Sequence, residues 1–214
     1  MEAWAVVVAG GSGSRFGRPK QFTELAGRSL IDRSLDAARE ACSGVVLVVP
    51  ADRVSDPDPG WKVDEVVAGG ASRSASVRAG LDAVPASATV IAVHDAARPL
   101  ARVDLWRAVI DAVVGGADAA IPAAPVTDTV KEVSRDGHLV TLDRSRLVAV
   151  QTPQAFRADV IRLVHGRGGE ATDDAALVEE AGGHVQLVAG PRDNIKITSP
   201  EDLLVAAALL GGPA

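Results

Sequence analysis

Short apolar runs rich in valine and isoleucine alternate with longer helix-spaced segments along this chain, and that alternation constrains the fold more than any other feature. Residues 4–9, 45–49, 63–67, 89–93 and 185–188 read as strands, and their near-continuous hydrophobicity suits burial on both faces. Residues 29–41, 74–84, 102–114, 158–165 and 173–181 carry helical spacing. A last helix begins at Ser199-Pro200-Glu201-Asp202, with a serine for the N-cap, a proline in the first turn and acids that favour the helix dipole. Strand–helix alternation of this kind predicts an α/β fold, a mostly parallel sheet with helices on both faces.

The rhythm breaks once. Residues 123–151 show no helix pattern, and the strand-like stretches 129–134 and 138–142 flank Arg135-Asp136-Gly137, a hairpin turn signal. A hairpin inserted into an α/β core is either a lid over its own site or an arm that grips another subunit. A chain of 214 residues suits a single domain over 1–214, with 123–151 as its projecting insert.

Composition matters for what the chain can bind. With 47% apolar and 23% charged residues it has the balance of a folded globular protein. Its formal net charge of −6 argues against a surface built for a nucleic-acid backbone. Any phosphate ligand must therefore be met by a few placed cations. Cys42 is the only cysteine, which rules out an internal disulfide and argues against a thiolate metal cage. At the apolar end of a predicted helix it reads as a small buried hydrophobe. The N-terminus lacks a basic region followed by a long apolar stretch, and no window approaches a membrane span free of charge. A cytoplasmic protein without membrane partners is expected.

After the first strand comes Ala9-Gly10-Gly11-Ser12-Gly13-Ser14-Arg15-Phe16-Gly17-Arg18-Pro19-Lys20. Glycines directly after a parallel strand let the backbone approach a ligand closely and aim N–H groups at anionic oxygens. The segment lacks the terminal Gly-Lys-Ser/Thr of a Walker A loop, and Phe16 spoils the dinucleotide spacing. It offers instead a turn of amides with two separated cations, suited to a flexible triphosphate. Taken alone, it reads equally as a glycine-rich βα turn with solvated charges.

Further motifs tip that balance. They are His94-Asp95-Ala96-Ala97-Arg98-Pro99, Ala124-Pro125-Val126-Thr127-Asp128-Thr129-Val130-Lys131, Asp143-Arg144, Gln151-Thr152-Pro153-Gln154, Thr172-Asp173-Asp174 and Asp193-Asn194-Ile195-Lys196-Ile197-Thr198. With the glycine loop, in this order and spacing over essentially the whole chain, they resemble the 2-C-methyl-D-erythritol 4-phosphate cytidylyltransferases of the non-mevalonate isoprenoid pathway. The Gly-x-Gly-x-Arg and Pro-Lys pattern is shared across many sugar-nucleotide transferases. The His-Asp-Ala-Ala-Arg-Pro and Asp-Asn-Ile-Lys strings are more specific.

The resemblance implies a Rossmann-like sheet of the nucleotide-diphospho-sugar transferase type, and transfer of CMP from CTP to the phosphate of 2-C-methyl-D-erythritol 4-phosphate. It implies that Arg15 and Lys20 hold the triphosphate, with Lys20 stabilising the departing pyrophosphate and Lys196 beside the α-phosphate. CTP would meet Ala9, Gly10, Gly11, Gly13, Gly70, Arg73, Ser76 and Asp95. Mg²⁺ would take Asp95 and Asp193, and the sugar phosphate Arg98, Thr129, Arg144 and Thr152. Because the family's hairpin crosses into a neighbouring subunit, a homodimer is implied in which Thr129 and Arg144 serve the partner's site. Where Ala71-Ser72 stand here the family more often carries acidic residues, which leaves the fine contacts to the base open.

Plainer roles stay open for several of these residues: surface charges for Arg15 and Lys20, a cap for Asp193, a structural clamp for Arg73. Thr172 and Asp173 read as helix caps, with a substrate contact as the alternative, His94 as a hydrogen-bonded strand-end histidine, and His138, His165 and His184 carry no signal. Rival readings are a ribitol 5-phosphate cytidylyltransferase, a sugar-1-phosphate nucleotidylyltransferase of the same fold, and a nucleotide sensor without turnover.

Overall fold

The computed structural model describes residues 2–10, 20–55 and 57–211, with Lys20 entering through its backbone alone. In chain order the elements are β1 (Ala3–Val8), β2 (Glu24–Leu25), β3 (Arg28–Ser29), α1 (Leu30–Ala41), β4 (Gly44–Val49), β5 (Glu65–Ala68), α2 (Arg73–Ala83), β6 (Val90–Asp95) and α3 (Val103–Val114). There follow β7 (Ala119–Pro125), β8 (Lys131–Val133), β9 (Leu139–Thr141), β10 (Val148–Val150), β11 (Gln154–Arg157), α4 (Ala158–Gly166), α5 (Asp174–Glu180), β12 (Val185–Ala189) and α6 (Pro200–Gly211).

Among the described residues eight strands form one sheet in the order β10-β7-β11-β6-β1-β4-β5, with β12 added on β7. β1 runs parallel to β4 and β6, β4 to β5, and β12 to β7. β11 lies antiparallel between β6 and β7, so those two strands point the same way. The consequence is positional. The carboxyl ends of β1, β5, β6, β7 and β12 all open on one edge, and the chain enters β11 at that edge. In open α/β sheets ligands collect there.

Alternation along the strands divides the core. Ala5, Val7 and Ala92 face α1 and α3 through Ile31, Leu35, Trp106 and Val109. Val6, Ile91 and Val93 face α2, α4 and α5 through Val77, Leu81, Ile161 and Val178. A smaller cluster of Leu25, Leu30, Ile197 and Ala206 seats α6. The expected helices start where their caps stand: Ser29 Oγ accepts from the Asp32 N–H, and Asp173 accepts from the Ala176 N–H. At α6 the Asp202 carboxylate accepts from the N–H groups of Thr198 and Ser199.

The predicted hairpin is present as β8 and β9, with Gly137 in the left-handed region (φ 86°) at its turn. Its span is narrower than 123–151. β7 runs to Pro125 and β10 pairs with it, so both roots of the insert belong to the main sheet. Cys42 closes α1 by donating its N–H to the Ala38 carbonyl, and burial pushes its thiol up to about 12, which leaves it unreactive at neutral pH. Among the described residues no helix is long and apolar enough to cross a membrane.

α2 lies close on the sheet at Gly80, where an added Cβ would stand 2.4 Å from Val6 Cγ1 and 2.9 Å from Val48 Cγ2. Gly80→Val is expected to destabilise the fold by about 3 kcal/mol, the upper end for overpacking. A urea midpoint equal to that of the wild type would contradict this packing.

Candidate active site

The backbone at the carboxyl edge is drawn together first. Ala9 donates its N–H to the Val48 carbonyl and Gly69 to that of Val49, so the loops leaving β1 and β5 lie side by side. A Cβ on Gly69 would come within 3.0 Å of Ser76 Oγ and 3.4 Å of Gly10 Cα, so a side chain here would press on the Ser76 hydroxyl that closes the loop. Gln21 Nε2 donates to the Ala9 carbonyl at 2.6 Å. Ser72, at the departure from the family pattern, caps α2 by accepting from the Ala75 N–H. The buried Ser76 hydroxyl donates to the Ser72 carbonyl at 2.9 Å and accepts from the Gly70 N–H at 3.1 Å. Its hydroxyl thus closes the loop, and the turn's backbone is what remains to face a ligand. Gly11, Gly13 and Arg15 lie outside the described residues, as does the side chain of Lys20.

Beside these loops Asp95 ends β6. Its Oδ1 meets Arg73 Nε at 3.1 Å and its Oδ2 meets Lys196 Nζ at 2.5 Å. Burial alone would raise this carboxyl's pKa, but Arg73 and Lys196 outweigh it and hold the group well below the usual carboxylate range. Arg73, the first residue of α2, also reaches Asp174 with Nη2 at 2.9 Å. Burial opposes its charge, and the two carboxylates together more than restore it, raising its pKa. Arg73 is therefore a clamp, as well as a wall of the cleft.

A cleft of about 220 Å³ opens here, lined among others by Arg73, Asp95, Arg98, Thr152, Gln154 and Lys196. Arg98 donates to the Asn194 carbonyl at 2.7 Å and the Val150 carbonyl at 3.2 Å, and burial lowers its pKa. Arg98 Nε and Arg73 Nη1 are buried donors without partners among the described residues. Such donors are costly unless a ligand meets them.

Two motifs interlock to form the far wall. Asn194 Nδ2 donates to Gln151 Oε1 and to the Thr152 carbonyl, each at 3.0 Å, and Gln151 Nε2 donates to the Pro191 carbonyl. That lock holds the 193–198 segment against the entry to β11 and aims Lys196 at Asp95. Thr152 Oγ1 accepts from the Asp95 N–H at 3.1 Å and lies 3.1 Å from His94 Nδ1. His94 is fully buried against Trp106, and burial pushes its pKa down to about 3. The expectation of a hydrogen-bonded strand-end histidine agrees with this geometry.

The family model described as IspD, 2-C-methyl-D-erythritol 4-phosphate cytidylyltransferase, matches residues 3–212. The chain belongs to this family. A curated relative from Rubrobacter xylanophilus bearing the same enzyme name is 47% identical, over 97% of this chain and 94% of its own. One from Geobacillus thermodenitrificans is 45% identical, over 96% of each. Among solved structures, the cytidylyltransferase of Thermus thermophilus superposes with a TM-score of 0.84 at 34% identity, covering 99% of this chain and 100% of the other.

Not every residue named from the resemblance to the cytidylyltransferases meets in one chain. Asp193 faces Arg102, at 2.8 Å, and does not line the Asp95 cleft. Thr129 is exposed at the root of the hairpin, and Arg144 donates to the Thr127 carbonyl, away from Asp95. Sequence reasoning passed over the buried partners. His165, read as carrying no signal, is 2% exposed and paired with Asp174 at 3.0 Å. A histidine on the apolar face of a helix ending just before Thr-Asp-Asp was the available clue.

The depressed pKa of Asp95 sets the sign of a pH effect. A carboxyl whose folded pKa lies below its unfolded value of about 3.9 contributes stability that is present above that value and lost as pH falls through the folded one. The difference in unfolding free energy between wild type and Asp95→Asn should thus stay level above about pH 5 and shrink below about pH 4. A difference that grew on acidification would contradict the ion pairs.

Proposed function

We propose that this cleft transfers CMP from CTP to the phosphate of 2-C-methyl-D-erythritol 4-phosphate, releasing pyrophosphate. The observation that carries the reading is the convergence of Arg73, Arg98 and Lys196 around Asp95, beside two glycine-walled loops, in a member of this family. An oxygen of the acceptor phosphate forms a bond to the α-phosphorus in line with the α–β bridging oxygen. That bridging bond breaks, and its electron pair leaves with pyrophosphate. The acceptor's second pKa is about 6, so it arrives mostly as a dianion and needs no general base. What the protein must supply is orientation and compensation of negative charge.

Lys196 is the described cation assigned to the α-phosphate, with Arg15 and Lys20 assigned to the β- and γ-phosphates. The turn at Gly10 and Gly70 offers backbone groups to the base. Arg98 and Thr152 face the acceptor phosphate from the cleft wall. Asp95 would hold Mg²⁺, a hard cation that usually takes one or two carboxylates with water and substrate phosphates, by giving up a contact to Arg73 or Lys196. Asp193 is paired with Arg102 outside this cleft and would have to turn from it to serve as the second carboxylate; its Oδ1 has no partner among the described residues. When bound, the ion would neutralise charge on the triphosphate.

We further propose a homodimer acting in the cytoplasm, where nucleoside triphosphates are held. Val133, Leu139 and Val140 are exposed on a two-stranded hairpin, which rarely stands alone in water. Arg144 lies at its root in a groove with Leu147, Val148 and Leu187. A second copy seated here would cover the apolar residues and receive Thr129 and Arg144 at its own cleft.

Purified protein with CTP, Mg²⁺ and 2-C-methyl-D-erythritol 4-phosphate is expected to release pyrophosphate, and Lys196→Ala to lower kcat about 10²- to 10³-fold. Preference for ribitol 5-phosphate, for UTP or GTP, or binding of CTP without turnover would each overturn the assignment. Mixed, refolded Lys20→Ala and Arg144→Ala subunits should regain activity, because each heterodimer would contain one undamaged site. Confirmed heterodimers that stay inactive would reject the crossing arm.

A further inference from the structure

From Asp95 and Lys196 at the cleft, a line of polar contacts runs back into the core to two residues that the transfer reaction does not touch. His165 Nε2, in the last turn of α4, donates to Asp174 Oδ1 at 3.0 Å, with 2% and 1% of the two side chains exposed. Asp174 Oδ2, at the start of α5, meets Arg73 Nη2 at 2.9 Å. Arg73 Nε meets Asp95 at 3.1 Å, and Asp95 meets Lys196 at 2.5 Å. Four contacts thus connect a histidine among the helices of one face to the ammonium assigned to the α-phosphate.

Stability does not explain this arrangement. A buried ion pair stabilises a fold little better than apolar residues of the same volume. Its two ends differ in function, however: one is sealed in the core, the other opens on the cleft. The guanidinium fork divides one charge between two carboxylates. While Asp174 holds Nη2, Arg73 has a fixed place, and the pull it exerts on Asp95 is shared.

We propose that Asp174 and His165 are positioning residues for nucleotide transfer. They fix Arg73, Arg73 fixes the Asp95 carboxylate, and Asp95 fixes where the Lys196 ammonium stands. This rests on reading the Asp95–Lys196 cleft as the transfer site. Neutralising Asp174 leaves the whole guanidinium charge to Asp95 and draws its carboxylate away from Lys196. Removing the His165 donor loosens Asp174 and acts in the same direction, more weakly.

Asp174→Asn, acting on Lys196 through Arg73 and Asp95, is expected to lower kcat about 10-fold, the low end of the range for groups that orient a site residue from behind. KM for CTP and for the acceptor should stay within about three-fold, since ground-state binding is not its task. His165→Leu should lower kcat less, and His165→Gln, whose Nε2 can donate to Asp174, should restore it. A second measurement is independent of turnover. In ¹⁵N-labelled protein the Arg73 Nε–H signal, assigned by its loss in Arg73→Lys, should move in Asp174→Asn and His165→Leu and stay in His165→Gln. Folded Asp174→Asn and His165→Leu with wild-type kcat, or with an unmoved Arg73 signal, would overturn the proposal. If Asp174→Asn fails to fold, the His165 pair decides alone. A wild type without transfer activity would overturn the functional reading while leaving the Arg73 signal to report on the chain of contacts.

Discussion

Asp95 stands at the end of a strand buried along its whole length, so its carboxylate must lose most of its water. A lone carboxylate there would take up a proton. Two cations prevent that, and they arrive from distant parts of the chain: Arg73 from the start of α2, Lys196 from the segment after β12. Each is itself half withdrawn from solvent and gains from the carboxylate what it loses in hydration. The three groups are interdependent, and the loops that carry them are held in place by the same contacts. Removing one member leaves uncompensated charge in the others, a larger penalty than the worth of any single pair.

The sheet makes this meeting possible. With β6 and β7 parallel and β11 reversed between them, loops separated by a hundred residues open on one edge. The Gln151–Asn194 lock then sets how far the 193–198 segment can lean toward Asp95. The glycines after β1 and β5 do the corresponding work on the other side, letting two turns pass within van der Waals distance. Function here depends on backbone approach as much as on side chains.

Much of this was legible in the residues, for reasons that can be named. The central strands are runs of valine and isoleucine, α1, α2 and α5 begin at side-chain caps, and the spacing alone marks α3 and α4, so β1, β4, β6 and α1 to α6 fall within a few residues of expectation. β7 escaped because Ala-Ala-Ile-Pro-Ala-Ala-Pro has weak strand propensity and two prolines; burial on both faces by helices and neighbours makes it a strand regardless. β11 is four residues long and its pattern merges into α4. In the site, Asp95 and Lys196 were named from motif strings, whose pairing no periodicity reveals. The double engagement of Arg73 and the burial of His165 are tertiary facts, set by how α2, α4 and α5 pack. Ser76 shows the converse: a hydroxyl in the right loop, already occupied in closing it.

The cleft also limits the chemistry by what its groups are free to do. His94 lies beside Asp95 and would be the natural candidate for a general base. It is sealed under Trp106, bound to Thr152 through Nδ1, and holds a proton on the imidazolium only in strong acid. Asp95 has both oxygens engaged by cations and a depressed pKa, which makes it a poor proton acceptor. Arg73, Arg98 and Lys196 are donors only, and the one further carboxylate among the described cleft residues, Asp173, is taken up by the Ala176 N–H and by Gln154 Nε2. A reaction that needed proton abstraction would find little to work with among the described residues. A reaction whose nucleophile is ionised on arrival needs the opposite, several fixed cations in a chain that is acidic elsewhere, and transfer from a triphosphate to a phosphate monoester is of that kind.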